Sequence, residues 1–448
     1  MKNFTKTLPL VMAMMVACTM AQAKQDDPGL IGSKLTPMGS EKAANADGSI
    51  PAWTGGIAAN AAIVSSNGDY ADPFAGEKPL YTVTKDNVSQ YKNVLTPGQV
   101  AMFGRFPDYR MPVYPTHRTA NLPKTDQDEA KANLGKVELA DGGYGLKNYS
   151  FGVPFAEPTE PLEVLWNHLT RYRGGSFVRE IASATVQDQG QSTVVTYNQV
   201  AAFRDRIKDL DPQENLLFFY RAQTLTPSRY AGEVTLIHEP MNQVTEARAA
   251  WQYLPGQRRV RRAPTVSYDS SARYSFGQIT SDGTDGFNGA PDRYDWKLIG
   301  KQELLVGYNA YKLNSKTLKY ADLLKPGHLN TDPLRYEKHR VWVIEATLKP
   351  DARHVYGKRR FYIDEDSWQI LASDMYDSRG ELWRLFEAHY AMLYDVQVPT
   401  TVAETTYDLI SGRYGVSQMT NEVNQKVAYG APMVKADFTP AEIRRLGK

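Results

Sequence analysis

Seven histidines, His117, His168, His238, His328, His339, His354 and His389, are the first residues to test for metal or proton chemistry. No two stand four apart, and His238-Glu239 lacks the second histidine of a His-Glu-x-x-His zinc motif. No Gly-x-Ser-x-Gly elbow presents a nucleophilic serine. Ser89-Gln90-Tyr91-Lys92 has Ser-x-x-Lys spacing, but the companion motifs of penicillin-binding enzymes are missing, and two fixed positions arise often by chance. Asp364, Glu365 and Asp366 are consecutive carboxylates in a turn, where solvated charge is expected rather than paired acid–base work. The loop from Ser281 to Asp292 is rich in oxygen ligands but out of register with a calcium loop closing on Glu, so a turn-rich loop is expected. On these residues no enzyme, no metal and no cofactor is expected.

What remains is binding. Trp251 and Tyr253 alternate in one stretch, Trp342 and Ile344 in a second, Phe361 and Ile363 in a third, and Trp383 stands with Leu385 in a fourth. Alternation places each set on one face of a β-sheet. Trp251, Tyr253, Trp342, Ile344, Phe361, Ile363 and Trp383 are therefore expected either to line a lipid-binding concavity or to form ordinary core under helices. Arg258, Arg259, Arg261 and Arg262 flank Val260 and charge both faces of their strand. That suits an edge, serving as a rim for head groups or an acidic partner, or simply as a solvated edge. Lys358-Arg359-Arg360 reads the same way.

These residues sit in a meander. Strands are expected at 177–185, 192–203, 216–222, 233–239, about 247–253 and 294–306, then 341–348, 360–364, 368–372 and 381–386, with turn residues between them. Leu254-Pro255-Gly256-Gln257 fits a type II turn. Helices are expected within 84–104, where Thr96-Pro97-Gly98-Gln99 has the form of a capping box, and from Leu162 to Tyr172. Leu162, Leu165, Trp166 and Leu169 give the latter a packing face to lay across the sheet. His168 on this helix is expected to make a hydrogen bond rather than act as a ligand or base. Residues 105–160 read as Pro- and Gly-rich loops, and a capped helix is expected from Thr439.

Residues 1–23 read as a signal peptide. Lys2 and Lys6 precede an apolar stretch from Leu8 to Met20, and Ala21-Gln22-Ala23 is a cleavage site. The alternative is a lipoprotein signal, Met15-Val16-Ala17-Cys18, with lipid at Cys18. The chain has one cysteine, so cleavage after Ala23 leaves no disulfide or thiolate chemistry. Residues 24–160 are expected to wrap the core as extended chain with short helices, Trp53 serving as an anchor, or to include a mobile leader at 24–80. Residues 161–448 form the sheet domain. A net charge of +2 gives no reason to expect a nucleic-acid partner.

Four strings resemble the bacterial family called domain of unknown function 1329. They are Leu35-Thr36-Pro37 through Gly56, Trp166 to Tyr172, Tyr294 to Lys301, and Met375 to Arg384. Trp251-Gln252-Tyr253-Leu254-Pro255-Gly256 and the later hairpins are similar to periplasmic lipoprotein carriers of the LolA and LolB type. The resemblance implies an α+β fold, a large curved antiparallel half-barrel partly covered by helices. It implies a periplasmic carrier or chaperone for a lipid or other hydrophobic molecule. Its partners would be a membrane transporter of the resistance-nodulation-division type and an outer-membrane protein. The alternatives are a non-catalytic scaffold or adaptor and, opposed by the helices and the charged strand, an outer-membrane β-barrel.

Overall fold

The computed structural model describes residues 29–263, 268–424 and 427–447. Ala23 and Cys18 lie outside them, as does the whole proposed signal segment. In chain order the elements begin with β1 (Tyr81–Val83), α1 (Pro97–Arg105), β2 (Met111–Val113), α2 (Lys124–Asn133), β3 (Glu138–Ala140), β4 (Gly145–Lys147) and α3 (Pro161–Thr170). A first run of long strands follows: β5 (Ser176–Val186), β6 (Ser192–Phe203), β7 (Phe218–Thr226), β8 (Val234–Glu239), β9 (Ala249–Leu254) and β10 (Arg259–Arg262). Then come β11 (Tyr294–Gly307), α4 (Tyr320–Leu323), β12 (Tyr336–Leu348), β13 (Lys358–Asp364), β14 (Ile370–Tyr376) and β15 (Leu382–Leu393). The chain closes with β16 (Val398–Asp408), β17 (Tyr414–Met419), β18 (Ala428–Tyr429) and α5 (Pro440–Leu446).

Sixteen strands form one sheet in the order β1-β2-β12-β13-β14-β15-β16-β17-β5-β6-β7-β8-β9-β10, with β11 against β12 and β18 against β5. Each pairing is antiparallel except a single parallel bridge, Tyr336 to Val113, that joins β2 to β12. The sheet is open and its helices are few, which is the expected fold class. The closing step is β17 on β5: a late strand returns beside the first long one and joins two meanders into one surface.

Local sequence explains the helices. Thr96 Oγ1 accepts from Gln99 N–H at 3.1 Å, and the Gln99 side chain accepts from Thr96 N–H at 2.9 Å, so the capping box starts α1 with Pro97 in the first turn. The sheet completes this cap: Asp374 Oδ1 accepts from Gly98 N–H at 2.9 Å. A Cβ at position 98 would stand 2.3 Å from that oxygen, so glycine is required for the close approach. Glu160 and Glu163 make a second box at the start of α3. Upstream of α1, only two 3-10 turns form, at Val88–Gln90 and Lys92–Val94, in place of the expected longer helix. Between 105 and 160, the short helix α2 and strands β2 to β4 interrupt the expected loops.

The N-terminal segment is docked. Trp53 Nε1 donates to the Ala120 carbonyl at 3.0 Å. Arg118, nearly fully buried, forks onto Asp366 at 2.8 and 2.7 Å and donates to the Glu41 carbonyl at 2.7 Å. The turn Asp364-Glu365-Asp366 is thus buried rather than solvated. The physical reason is compensation: Arg118, Arg340 and Lys301 supply the charge that water would otherwise have to. Arg359 is likewise buried, not a rim residue, and donates to Asp282 at 2.5 Å.

Candidate functional site

Strand parity decides what each face carries. On β5 to β8 one face presents Phe177, Arg179 and Ile181, then Tyr197, Gln199, Ala201 and Phe203, then Phe218, Tyr220 and Ala222, then Thr235 and Ile237. These side chains floor a cavity of about 490 Å³. That is within the range of small-molecule sites, roughly 300–1,000 Å³. The loop 268–292 covers it, contributing Arg273, Tyr274, Ile279 and Asp285, while Trp166 and Leu169 of α3 and Glu404 of β16 bound the inner end.

The opposite face of the same strands belongs to the C-terminal helix. Phe219, Val234, Leu236 and Tyr253 form a buried cluster with Phe438 and Ile443, and half-buried Trp251 packs on it. Phe219 stacks on Phe438 with ring centroids 5.2 Å apart.

The seven aromatic and aliphatic residues singled out in the sequence fall in three places, and none lines the cavity. Trp251 and Tyr253 lie on the α5 face, and it is Gln252 between them that reaches the cavity. Ile344, Phe361 and Ile363 are fully buried in the core that α3 covers with Val164, Leu165, Trp166 and Leu169. Half-buried Trp342 lies beside the same core, its ring 6.5 Å from Trp368. Trp383 is half-buried too, donating from Nε1 to Asp408 at 3.0 Å under the Arg384 guanidinium. On β12, β13 and β15 this face is filled by side chains. Arg258, Arg259, Arg261 and Arg262 are exposed on and beside β10, the strand at the end of the sheet order. Arg262 also lies over the Trp251 ring at 5.7 Å.

The cavity wall is not uniformly apolar: it carries five arginines, Arg171, Arg173, Arg179, Arg248 and Arg273. Arg171 and Arg173 both pair with Asp285, Arg248 with Glu239, and Arg273 with Glu233. Burial opposes ionisation of Asp285, but Arg171 and Arg173 outweigh it and hold the carboxyl below its usual range. For Glu404 burial prevails and, with Asp285 nearby, pushes its pKa up. Glu404 is held by Thr401 Oγ1 at 2.6 Å and by the Asp285 N–H at 3.2 Å.

His168 ties helix to cover. It accepts from Ile370 N–H at Nδ1, 3.2 Å away, and its Nε2 faces the Phe287 carbonyl at 3.1 Å. Only a neutral ring with its proton on Nε2 satisfies both. Burial, and then Arg171, lower its pKa to about 3. This is the hydrogen-bonding role expected of it. His354 and Arg359 occupy Asp282 of the loop. Burial opposes the charge there as well, but these partners bring Asp282 down to about 2. His339, Asp364 and Asp366 bring possible ligand atoms within 4.8 Å of one another. Arg118 already takes both oxygens of Asp366, so the positive charge a metal would bring is present. Ser89 and Lys92 are exposed residues of the 3-10 turns. No helix among the described residues is long and apolar enough to cross a membrane.

Residues 82–444 match the family model described as "Protein of unknown function (DUF1329)". The chain belongs to this family. An uncharacterised protein of Pseudomonas aeruginosa is 51% identical over 441 residues, covering 98% of this chain and 97% of its own. The crystal structure of a DUF1329 family protein from Desulfovibrio piger is 15% identical, with a TM-score of 0.43, and the match covers 64% of this chain and all of that one. A LolA superfamily protein from Nitrosomonas europaea is 14% identical, with a TM-score of 0.38, over 63% of this chain and 98% of that one. The cavity residues of this DUF1329 protein carry a legible signal, the alternation Phe177-x-Arg179-x-Ile181 and Tyr197-x-Gln199-x-Ala201-x-Phe203. Arginine and glutamine break the apolar stripe, so this alternation does not stand out as a binding face.

Proposed function

We propose that this protein is a non-enzymatic periplasmic carrier or chaperone. It holds a lipid or other hydrophobic molecule between the β5–β8 floor and the 268–292 loop, for transfer between inner- and outer-membrane machinery. The observation that carries this is the cavity itself. Phe177, Ile181, Phe218 and Ile237 line open volume, although their strands bury the other face conventionally. The apolar side chains of this covered floor are costly to leave in contact with water and gain about 25 cal/mol per Å² on receiving an apolar chain. The exposed arginine edge at β10 supports contact with head groups or an acidic partner, such as a transporter of the resistance-nodulation-division type. Periplasmic residence follows from the expected signal segment with cleavage after Ala23; lipidation at Cys18 is the alternative.

The test is mass spectrometry of organic extracts from the mature protein, purified from the periplasm without detergent. A stoichiometric hydrophobic compound, absent from an Ala222→Trp variant that folds, upholds the carrier reading. A protein that carries nothing and takes up no Nile red overturns it in favour of the scaffold.

A further inference from the structure

Arg179 is the cavity arginine without an ion pair. Arg171, Arg173, Arg248 and Arg273 each have a carboxylate partner, whereas Arg179 pairs with none among the described residues. It is held all the same. Its guanidinium lies 4.4 Å from the Phe177 ring centroid, and Nε donates to Gln199 Oε1 at 3.0 Å. Gln199 is fixed in turn by donating to Tyr220 Oη at 2.8 Å, so a polar line crosses β5, β6 and β7 on the floor. Nε is committed to Gln199 and the Tyr429 hydroxyl also bonds to the guanidinium, which leaves its remaining N–H donors for another partner.

The surroundings point the same way. The wall residues include five arginines against three carboxylates, Glu239, Asp285 and Glu404. Glu404 feels the Arg179 charge but makes no ion pair with it among the described residues, and burial raises its pKa. Two further buried polar atoms of the wall, Arg173 Nε and Gln418 Oε1, have no hydrogen-bond partner among the described residues. A half-buried cation fixed by stacking and hydrogen bonds but without a carboxylate of its own is expensive unless an anion arrives to share it.

We infer that the ligand is an anionic amphiphile, an apolar chain ending in a carboxylate or phosphate that pairs with Arg179 on the cavity floor. This rests on the carrier reading and deepens it. The guanidinium fork matches either oxyanion with two parallel hydrogen bonds, and a neutral or cationic head leaves the arginine unpaired.

Titration calorimetry with decanoate, decyl phosphate and decanol, which share one chain length, tests it on the mature protein at neutral pH. The expected result is that an anion binds about tenfold or more tightly than decanol, a typical return for a charge-assisted bidentate pair. In Arg179→Met that preference should vanish while decanol affinity holds, and Arg179→Lys should restore part of it. Whichever anion binds more tightly assigns the headgroup. Equal affinity for decanol and both anions, or a preference that survives Arg179→Met, overturns the inference and leaves the carrier reading standing. Failure of all three ligands and of Nile red to bind overturns the carrier reading, and this inference with it.

Discussion

Trp251 and Gln252 point to opposite faces of one strand. Gln252 reaches the cavity, while the Trp251 ring packs 4.7 Å from His238 in the layer under α5. Their neighbour Tyr253 sits so close to the chain end that a Cβ on Gly447 would fall 2.1 Å from its ring. Trp251 and Tyr253 therefore hold the C-terminal helix to the sheet. Trp251→Ala should cost about 2–3 kcal/mol, less than a fully buried tryptophan because Trp251 is half-buried. Urea melts read that loss, and Nile red affinity of the folded variant should match wild type. A loss of dye binding with unchanged stability would put the ligand on this face instead.

Ala222→Trp works in the opposite sense. Ala222 lines the cavity on β7, and its face is not the one packed against α5. An indole there fills space that is now open, so stability should stay within about 1 kcal/mol, since no packed neighbour must move. Nile red binding should fall at least severalfold. A variant that keeps full dye affinity would place the hydrophobic site outside this cavity.

Arg118 is the clasp of the N-terminal segment. Its side chain joins the Asp366 carboxylate to the Glu41 carbonyl, with Ser40 within 3.4 Å. Removing one partner of such a buried pair strands a charge and costs about 3–5 kcal/mol. Arg118→Met should therefore lower the melting temperature and open the chain near residues 40–56 to protease. If the variant resists limited proteolysis as wild type does, the segment is held chiefly by Trp53 and its neighbours.

Much of this architecture is legible in residue order. Thr96-Pro97-Gly98-Gln99 announces α1, and the spacing of Leu162, Leu165, Trp166 and Leu169 announces α3 with its buried face. The β5–β6 hairpin is read almost to the residue. By contrast β16 begins Val398-Pro399, whose proline masks the start of a strand that supplies the return to β17 and β5. The polar helix α2 has no apolar periodicity to betray it. The cavity is hidden for a different reason. Aromatic content marks which strand face is more apolar, not which is open, and on β9 the more apolar face is the one α5 covers. Likewise, nothing near Asp366 in the chain says that Arg118, 248 positions away, will neutralise it.

His168 makes a pH dependence that can be isolated. Its folded pKa, about 3, lies far below the ordinary histidine value of 6.5, because burial and then Arg171 disfavour the charged ring, with Asp285 opposing them. A base whose folded pKa is depressed contributes stability that is fully present above its unfolded pKa. That contribution is lost as pH falls from 6.5 towards 3, at a slope of up to ~1.4 kcal/mol per pH unit. His168→Gln gives up the hydrogen bonds to Ile370 and Phe287 at every pH but has no proton to gain. The variant should be less stable than wild type at pH 7.5, and the gap should close by about 2–3 kcal/mol towards pH 4.5. Urea melts at pH 7.5, 6.0 and 4.5 measure it, the comparison with wild type cancelling the raised carboxyls Asp364 and Asp374, which titrate in both proteins. A gap that stays constant across this range would mean that the folded pKa is not depressed, the imidazole gaining its proton near 6.5 as it does in the unfolded chain. The bond to Ile370 would then have to be read with Nδ1 turned to the Trp368 carbonyl, 3.0 Å away.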